Sequence, residues 1–109
     1  MSITINIYYS GTNGNAKSFA EAMLSSGIAA MIRKEDGNEQ YEYFSPFESP
    51  EMVLLIDKWR DQKALDAHHA SPLMAQIAQL RDKYDLHMKV ERYSSESSVP
   101  ITDEKYIRK

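Results

Sequence analysis

Apolar and polar residues alternate at period two over Ile3, Ile5 and Ile7 against Thr4, Asn6 and Tyr8, which predicts a first strand. Gly11-Thr12-Asn13-Gly14 interrupts it with residues that tolerate positive φ. Apolar Phe19, Met23, Leu24, Ile28 and Met31 follow at helical spacing. They predict a helix from about Asn15, taken as its cap, to Arg33, with a weak point near Gly27. After the break at Glu35-Asp36-Gly37-Asn38, Tyr41, Tyr43 and Phe44 mark a strand that Pro46 and Pro50 end. Met52 to Trp59 is the most apolar segment and suits a well-buried strand. Asp61 then caps a short helix with Leu65 and His68 on one side. Ser71-Pro72 restarts the helix, Ser as cap and Pro in the first turn. Leu73, Ile77, Leu80 and Tyr84 form a single-face stripe, and His87 to Tyr93 alternates as a last strand.

The order β-α-β-β-α-β is that of a split βαβ unit, an α+β domain with a four-stranded antiparallel sheet and both helices on one face. The other face stays bare, yet Tyr8, Leu54 and Ile56 give it apolar character. A second copy of the sheet is the economical cover, so a homodimer through that face is expected. Residues 1–93 form the domain and 94–109 a tail introduced by the serine-rich stretch Ser94-Ser95-Glu96-Ser97-Ser98. Two outcomes stay open for that tail: disorder, or docking of Ile101, Tyr106 and Ile107 on the partner subunit.

Composition narrows the function classes. The 109 residues, 42% hydrophobic and 27% charged, suffice for one core. The longest uncharged apolar run, Met52 to Ile56, is too short to span a bilayer. The first residues lack the basic and apolar regions of a signal peptide, so a cytoplasmic protein without membrane attachment is expected. The absence of cysteine excludes a disulfide scaffold, a thiol nucleophile and any cysteine-ligated metal centre. A net charge of −3 argues against nucleic acid as a partner. The run Gly11 to Ser18 superficially resembles a phosphate loop, but Ala16 stands where a glycine must precede Lys-Ser. His68 and His69 are adjacent, so on a helix they point about 100° apart and cannot grip one ion together.

Two features carry candidate chemistry. Asp57 and Trp59 share a face at the end of the buried strand. Either Trp59 is core and Asp57 pairs with Arg or Lys, or the two form a pocket wall with a partly buried acceptor. His68 follows Leu65 on the short helix, as a structural histidine or as a base at neutral pH.

Three motifs occur in order: Gly37-x-x-x-Tyr41 entering a strand, Asp57-x-Trp59 ending one, and Leu65-x-x-His68-x-x-Ser71 on a helix. Together they resemble the antibiotic biosynthesis monooxygenase domain family, a likeness running from Ile3 to Tyr93. The resemblance implies ferredoxin-like protomers that pair sheet to sheet into a dimeric α/β barrel. It also implies one of several chemistries. Haem-degrading members use an Asn on the first strand, a Trp at the start of the second helix and a His three turns on. Here Asn6 fits the first, but His68 and Ala78 fall at the other two, which disfavours haem. Isomerases of small phosphorylated signalling sugars need a phosphate site. No cation cluster near the expected pocket is evident, with Arg33, Lys58 and Arg92 left open for it. The branch that remains oxidises quinols, anthrones or similar electron-rich phenols with dioxygen and no cofactor. On that resemblance His68 takes or shares the substrate proton and Asn6 binds the oxyanion. Trp59 walls the pocket with Asp57, and Tyr41 or Tyr43 completes its rim. A non-catalytic dimer that binds a small aromatic is the competing expectation.

Overall fold

The computed structural model describes residues 1–96 and 99–109, so part of the serine-rich stretch lies outside the described residues. Strand β1 (Ile3–Ser10) is followed by helices α1 (Asn15–Ser25) and α2 (Ile28–Arg33), then strands β2 (Asn38–Phe44) and β3 (Met52–Trp59). Helices α3 (Gln62–His69) and α4 (Leu73–Lys83) lead to strand β4 (His87–Ser94). A single 3-10 turn, Glu104–Tyr106, stands in the tail. The four strands form one antiparallel sheet in the order β2-β3-β1-β4, the ferredoxin-like arrangement that the alternation predicts.

The first expected helix is in fact two, whereas the second divides at Ser71-Pro72 as read. At Gly27 φ is +85°, a left-handed turn that glycine adopts without cost, and the helix axis restarts there. The restart changes which residues face the sheet. Phe19, Met23, Ile28, Ala29 and Ile32 are buried, whereas Leu24 and Met31 are about half exposed, against the single-stripe expectation. Gly14, at φ +74°, precedes α1 and supplies no side-chain cap, so Asn15 begins the helix rather than capping it. The other caps form as read. The Asp61 carboxylate accepts from the Ala64 N–H at 2.9 Å, and the Ser71 hydroxyl accepts from the Leu73 N–H at 3.2 Å.

Strand alternation divides the sheet into two surfaces. Ile3, Ile5, Ile7 and Tyr9 of β1 face the helices with Val53, Leu55, Asp57 and Trp59 of β3. There the core is a chain of rings: Tyr9 against Phe19 at 4.9 Å, Phe19 against Tyr43 at 6.3 Å, and Tyr43 against Tyr41 at 5.7 Å. The far surface carries Thr4, Asn6 and Tyr8 beside Leu54, Ile56 and Lys58, with no helix over it. No helix among the described residues is long and apolar enough to cross a membrane. In the tail, Ile101, Tyr106 and Ile107 are exposed.

The hinge between α2 and β2 is the tightest point of the fold. Gly37 has φ +86°, and a β-carbon there would lie 2.5 Å from the Ala64 methyl of α3. Its carbonyl accepts from the Arg60 N–H at 2.8 Å, so the loop is pinned against the start of α3. Gly37→Ala is expected to destabilise by about 2–4 kcal/mol, combining the left-handed backbone penalty with an overlap that neither backbone can relieve. Gly14→Ala has the same backbone sign but open space around it, and is expected to lose only about 1 kcal/mol. Urea unfolding of both variants measures the difference; equal losses overturn the packing argument.

Candidate functional site

The alternation of β3 carries Asp57 into the space between sheet and helices, where it is 4% exposed. A carboxylate in that position must be hydrogen-bonded. The Trp59 indole, two residues on and therefore on the same face, donates to Asp57 Oδ1 at 2.6 Å. No Arg or Lys bonds to it, so the arginine-or-lysine pairing weighed for Asp57 is not the one that forms. Burial raises the Asp57 pKa from 3.8 to about 6; the neighbouring His68 and the indole hydrogen bond pull it back down, and the Glu35 charge pushes it up.

His68 comes from α3, one turn after Ala64 and one face with it, and is likewise 4% exposed. Its ring stacks on Trp59 at 4.6 Å with 26° between planes, and meets the Tyr41 ring at 6.4 Å. Its Nδ1 lies 2.7 Å from Glu35 Oε2. With Glu35 ionised, Nδ1 carries the proton and donates, and Nε2 is left as the acceptor. Nε2 has no hydrogen-bond partner among the described residues. Glu35 reaches this position because Gly37, two residues later, lets the loop touch α3 at Ala64.

His68 is the wall between two hollows. On the Glu35 side an open recess runs past Arg60, Lys63 and Pro72 to solvent. On the sheet side a cavity of about 280 Å³ has Ile5, Ile7 and Leu55 as floor and Met74 and Ile77 of α4 as roof. Asp57, His68, Tyr41 and Tyr9 open onto that cavity, and Arg81, Arg92 and His69 stand around it. Burial pushes the Tyr9 phenol up to about 12 and raises Tyr41 as well, so both remain hydroxyl groups at neutral pH.

The structure therefore brings His68, Asp57 and Tyr41 together at the cavity, whereas Trp59, expected as its wall, is fully buried against His68 and outside the cavity lining. Tyr43 stands one step behind: its hydroxyl lies 3.3 Å from that of Tyr41 while its ring packs on Phe19, outside the cavity lining. Asn6 does not join them. It pairs with Ile56, not with Asp57, and points to the bare face of the sheet, so it cannot meet a substrate held by His68. Arg33 and Lys58, left open as anion ligands, are also elsewhere: Arg33 donates to the Tyr41 carbonyl at 2.8 Å, and Lys58 is on the bare face.

Glu35 was read only as part of a chain break, because no periodicity marks a residue in a loop. Tyr9 was findable, since it extends the Ile3-Ile5-Ile7 alternation by one step. Arg81 was findable too, four residues after Ile77 on the same helical face. Among the described residues, no three His, Asp or Glu side chains converge as a metal site.

The family model for antibiotic biosynthesis monooxygenases matches residues 2–80. No curated protein matches the chain. Among solved structures, a provisionally assigned antibiotic biosynthesis monooxygenase from Deinococcus radiodurans is 22% identical, covering 93% of this chain and 98% of its own, with a TM-score of 0.77. SnoaB, a cofactor-independent oxygenase from Streptomyces nogalater, is 12% identical over 91% of this chain and 97% of its own, with a TM-score of 0.73. A similarly assigned protein from Nitrosomonas europaea is 18% identical, covering 87% and 98%, with a TM-score of 0.72. At these identities the likeness is one of fold.

The buried Asp57 has a consequence for stability. The folded state holds the Asp57 proton more tightly than the unfolded chain does, because its pKa rises from 3.8 to about 6 on folding. Ionising it therefore costs stability, a cost that grows as pH rises from about 4 to about 6 and reaches roughly 3 kcal/mol above that. Asp57→Asn keeps an oxygen for the indole and removes the charge. Denaturant unfolding is expected to show this variant about 2 kcal/mol more stable at pH 8 and level with the parent near pH 3.5. A loss of stability at pH 8 overturns the argument.

Proposed function

The chain belongs to the antibiotic biosynthesis monooxygenase family, and from that premise we propose that it is a cofactor-independent monooxygenase acting on a quinol, anthrone or similar electron-rich phenol. One observation carries the proposal: a buried imidazole in the lining of the cavity, held at Nδ1 by Glu35, stacked on Trp59, and without a partner at Nε2 among the described residues. Such an imidazole is a base with its orientation fixed in advance.

The phenol enters the cavity with its hydroxyl at His68 and its ring over Ile5 and Leu55. His68 Nε2 takes the proton, and the imidazolium that forms is balanced by Glu35. The phenolate passes one electron to dioxygen, giving a phenoxyl radical and superoxide held together in the cavity. The two combine at a ring carbon to form a peroxide. On a phenol or anthrone, whose combining carbon bears hydrogen, cleavage of the O–O bond with loss of that hydrogen releases water and leaves a second carbonyl. On a quinol, whose combining carbon bears hydroxyl, loss of the hydroxyl proton and cleavage of the C–O bond release hydrogen peroxide and leave the quinone. Phenol and dioxygen thus give quinone and water, and quinol and dioxygen give quinone and hydrogen peroxide, with every electron drawn from the substrate. The chain's own part is to take the proton, hold the anion and keep the radical pair together. Tyr9 and Tyr41, both kept as hydroxyl groups, donate to the developing oxyanion in place of Asn6.

A homodimer is part of the same proposal. The bare face sets Tyr8, Leu54 and Ile56 among half-exposed neighbours, and Asn6 Oδ1 is buried there with no hydrogen-bond partner among the described residues. A second sheet would cover the apolar rows and offer that oxygen a donor. The exposed Ile101, Tyr106 and Ile107 of the tail would then dock on the partner.

Oxygen uptake with menadiol or an anthrone tests the reaction. His68→Ala is expected to lower kcat by about 10²–10⁴-fold, and Glu35→Gln by about 10–100-fold through loss of orientation. Turnover that is unchanged in His68→Ala removes the imidazole from the chemistry, and ligand binding without quinone formation leaves a binding protein. For the assembly, sedimentation of the full chain is expected to give a dimer and Ile56→Glu a monomer; a monomeric parent chain overturns the interface.

A further inference from the structure

We propose that Arg92 forms a carboxylate-binding subsite in the cavity, so that the substrate is an aromatic phenol or hydroquinone bearing a carboxylate on its ring. This rests on the oxidation just described and narrows its substrate class.

The register of the sheet supplies the geometry. Tyr41 pairs with Asp57, Asp57 with Ile5, and Ile5 with Arg92, so these four side chains form one transverse row across all four strands. All four line the cavity. At about 4.8 Å between strands, the Arg92 backbone stands about 10 Å from that of Asp57, with the Ile5 side chain between them. A ring lying on Ile5 with its hydroxyl at the Asp57 and His68 end therefore directs its opposite substituent at the guanidinium. The volume, about 280 Å³, is at the lower end for ligand pockets and suits one or two fused rings.

Arg92 is held in that place. Its Nη2 donates to Gln62 Oε1 on α3, and Gln62 Nε2 in turn donates to Asp66 at 2.8 Å, which fixes the amide with its oxygen toward the arginine. Among the described residues Arg92 has no carboxylate partner. Its row neighbour is an isoleucine, and its neighbour two residues back on the same face of β4 is Val90. A cation tethered across a cavity by a neutral amide, against apolar walls, is matched by an anion from outside the chain. A single planar fork fits the two oxygens of a carboxylate. The second guanidinium, Arg81 of α4, donates to the Met88 sulfur at 3.3 Å, four residue pairs along β4 from Arg92, and so does not share the same anion.

Binding and turnover test this separately. Calorimetric titration with naphthoate and with naphthol is expected to show naphthoate bound about tenfold more tightly, the preference weakening with salt. Arg92→Gln, checked for folding by its thermal midpoint, is expected to bring that ratio close to one. Oxygen uptake on a naphthohydroquinone with and without a ring carboxylate is expected to show the same tenfold ratio in KM, again collapsing in Arg92→Gln. Equal binding of the two probes overturns the subsite, as does a preference that survives Arg92→Gln or is lost only in Arg81→Gln. Tighter binding of naphthyl phosphate than of naphthoate overturns the carboxylate assignment. A preference for naphthoate that Arg92→Gln abolishes, without oxygen consumption on either hydroquinone, upholds the subsite and overturns the oxidation.

Discussion

The Asp57 carboxylate lies on the helix side of the sheet with the Trp59 indole as its donor, and that placement constrains everything packed around it. An ionised group taken from water needs a fixed donor, and period-two alternation provides one two residues along the same strand. The indole that serves Asp57 is also the plane on which His68 stacks, so one ring positions both the carboxylate and the imidazole. His68 in turn needs Glu35 at Nδ1, and Glu35 is within reach only because Gly37 has no β-carbon to meet Ala64. Four side chains from β3, α3 and the loop before β2 are thereby tied by two hydrogen bonds and one stack. The cost is a carboxyl whose pKa is raised to about 6, a standing penalty at neutral pH that a purely structural core would not retain.

The same alternation separates two tasks across one sheet. Odd positions of β1 and β3 (Ile5, Ile7, Leu55, Asp57) face the cavity, while even positions (Asn6, Tyr8, Leu54, Ile56) face away from the helices. Residues of the proposed interface and of the site thus alternate along the chain and share a backbone. A register slip of one residue would exchange them wholesale, sending Asp57 to the bare face and Ile56 into the cavity. The long β1–β3 ladder, eight matched pairs without a bulge, guards against that slip.

Much of this was legible in the chain, and the misses have physical causes. Local pattern located the four strands, the Asp61 and Ser71 caps and the common face of Asp57 and Trp59, because each depends on neighbours within four residues. His68 was legible as the imidazole behind Leu65 for the same reason. Asn6 was misplaced by analogy with relatives, although its own alternation with Ile5 and Ile7 already set it on the other face. Leu24 and Met31 were misassigned because a single left-handed glycine, Gly27, rotates the helix phase, and spacing across a break carries no phase information. Glu35 was not assignable as a site residue, and Arg92 could only be left open as an anion ligand beside Arg33 and Lys58, because their positions arise from tertiary contacts: a loop closing on a helix and a strand pairing two neighbours away.

Those two residues stand at opposite ends of one frame. The frame supplies a floor of Ile5, Ile7 and Leu55 and a roof from α4, and these set the size of the cavity. Chemistry is added at its ends. At one end the loop before β2 brings a carboxylate to orient an imidazole; at the other the edge strand β4 brings a guanidinium that α3 holds through Gln62. Neither position contributes to the buried core, since Glu35 is only partly covered and Arg92 is exposed. In the proposed reaction, substitutions there change proton transfer or substrate charge while leaving the aromatic chain from Tyr9 to Trp59 intact. In the proposed reaction the frame therefore shapes the hollow, and the substrate is chosen by the few polar groups at the two ends of the Tyr41–Asp57–Ile5–Arg92 row.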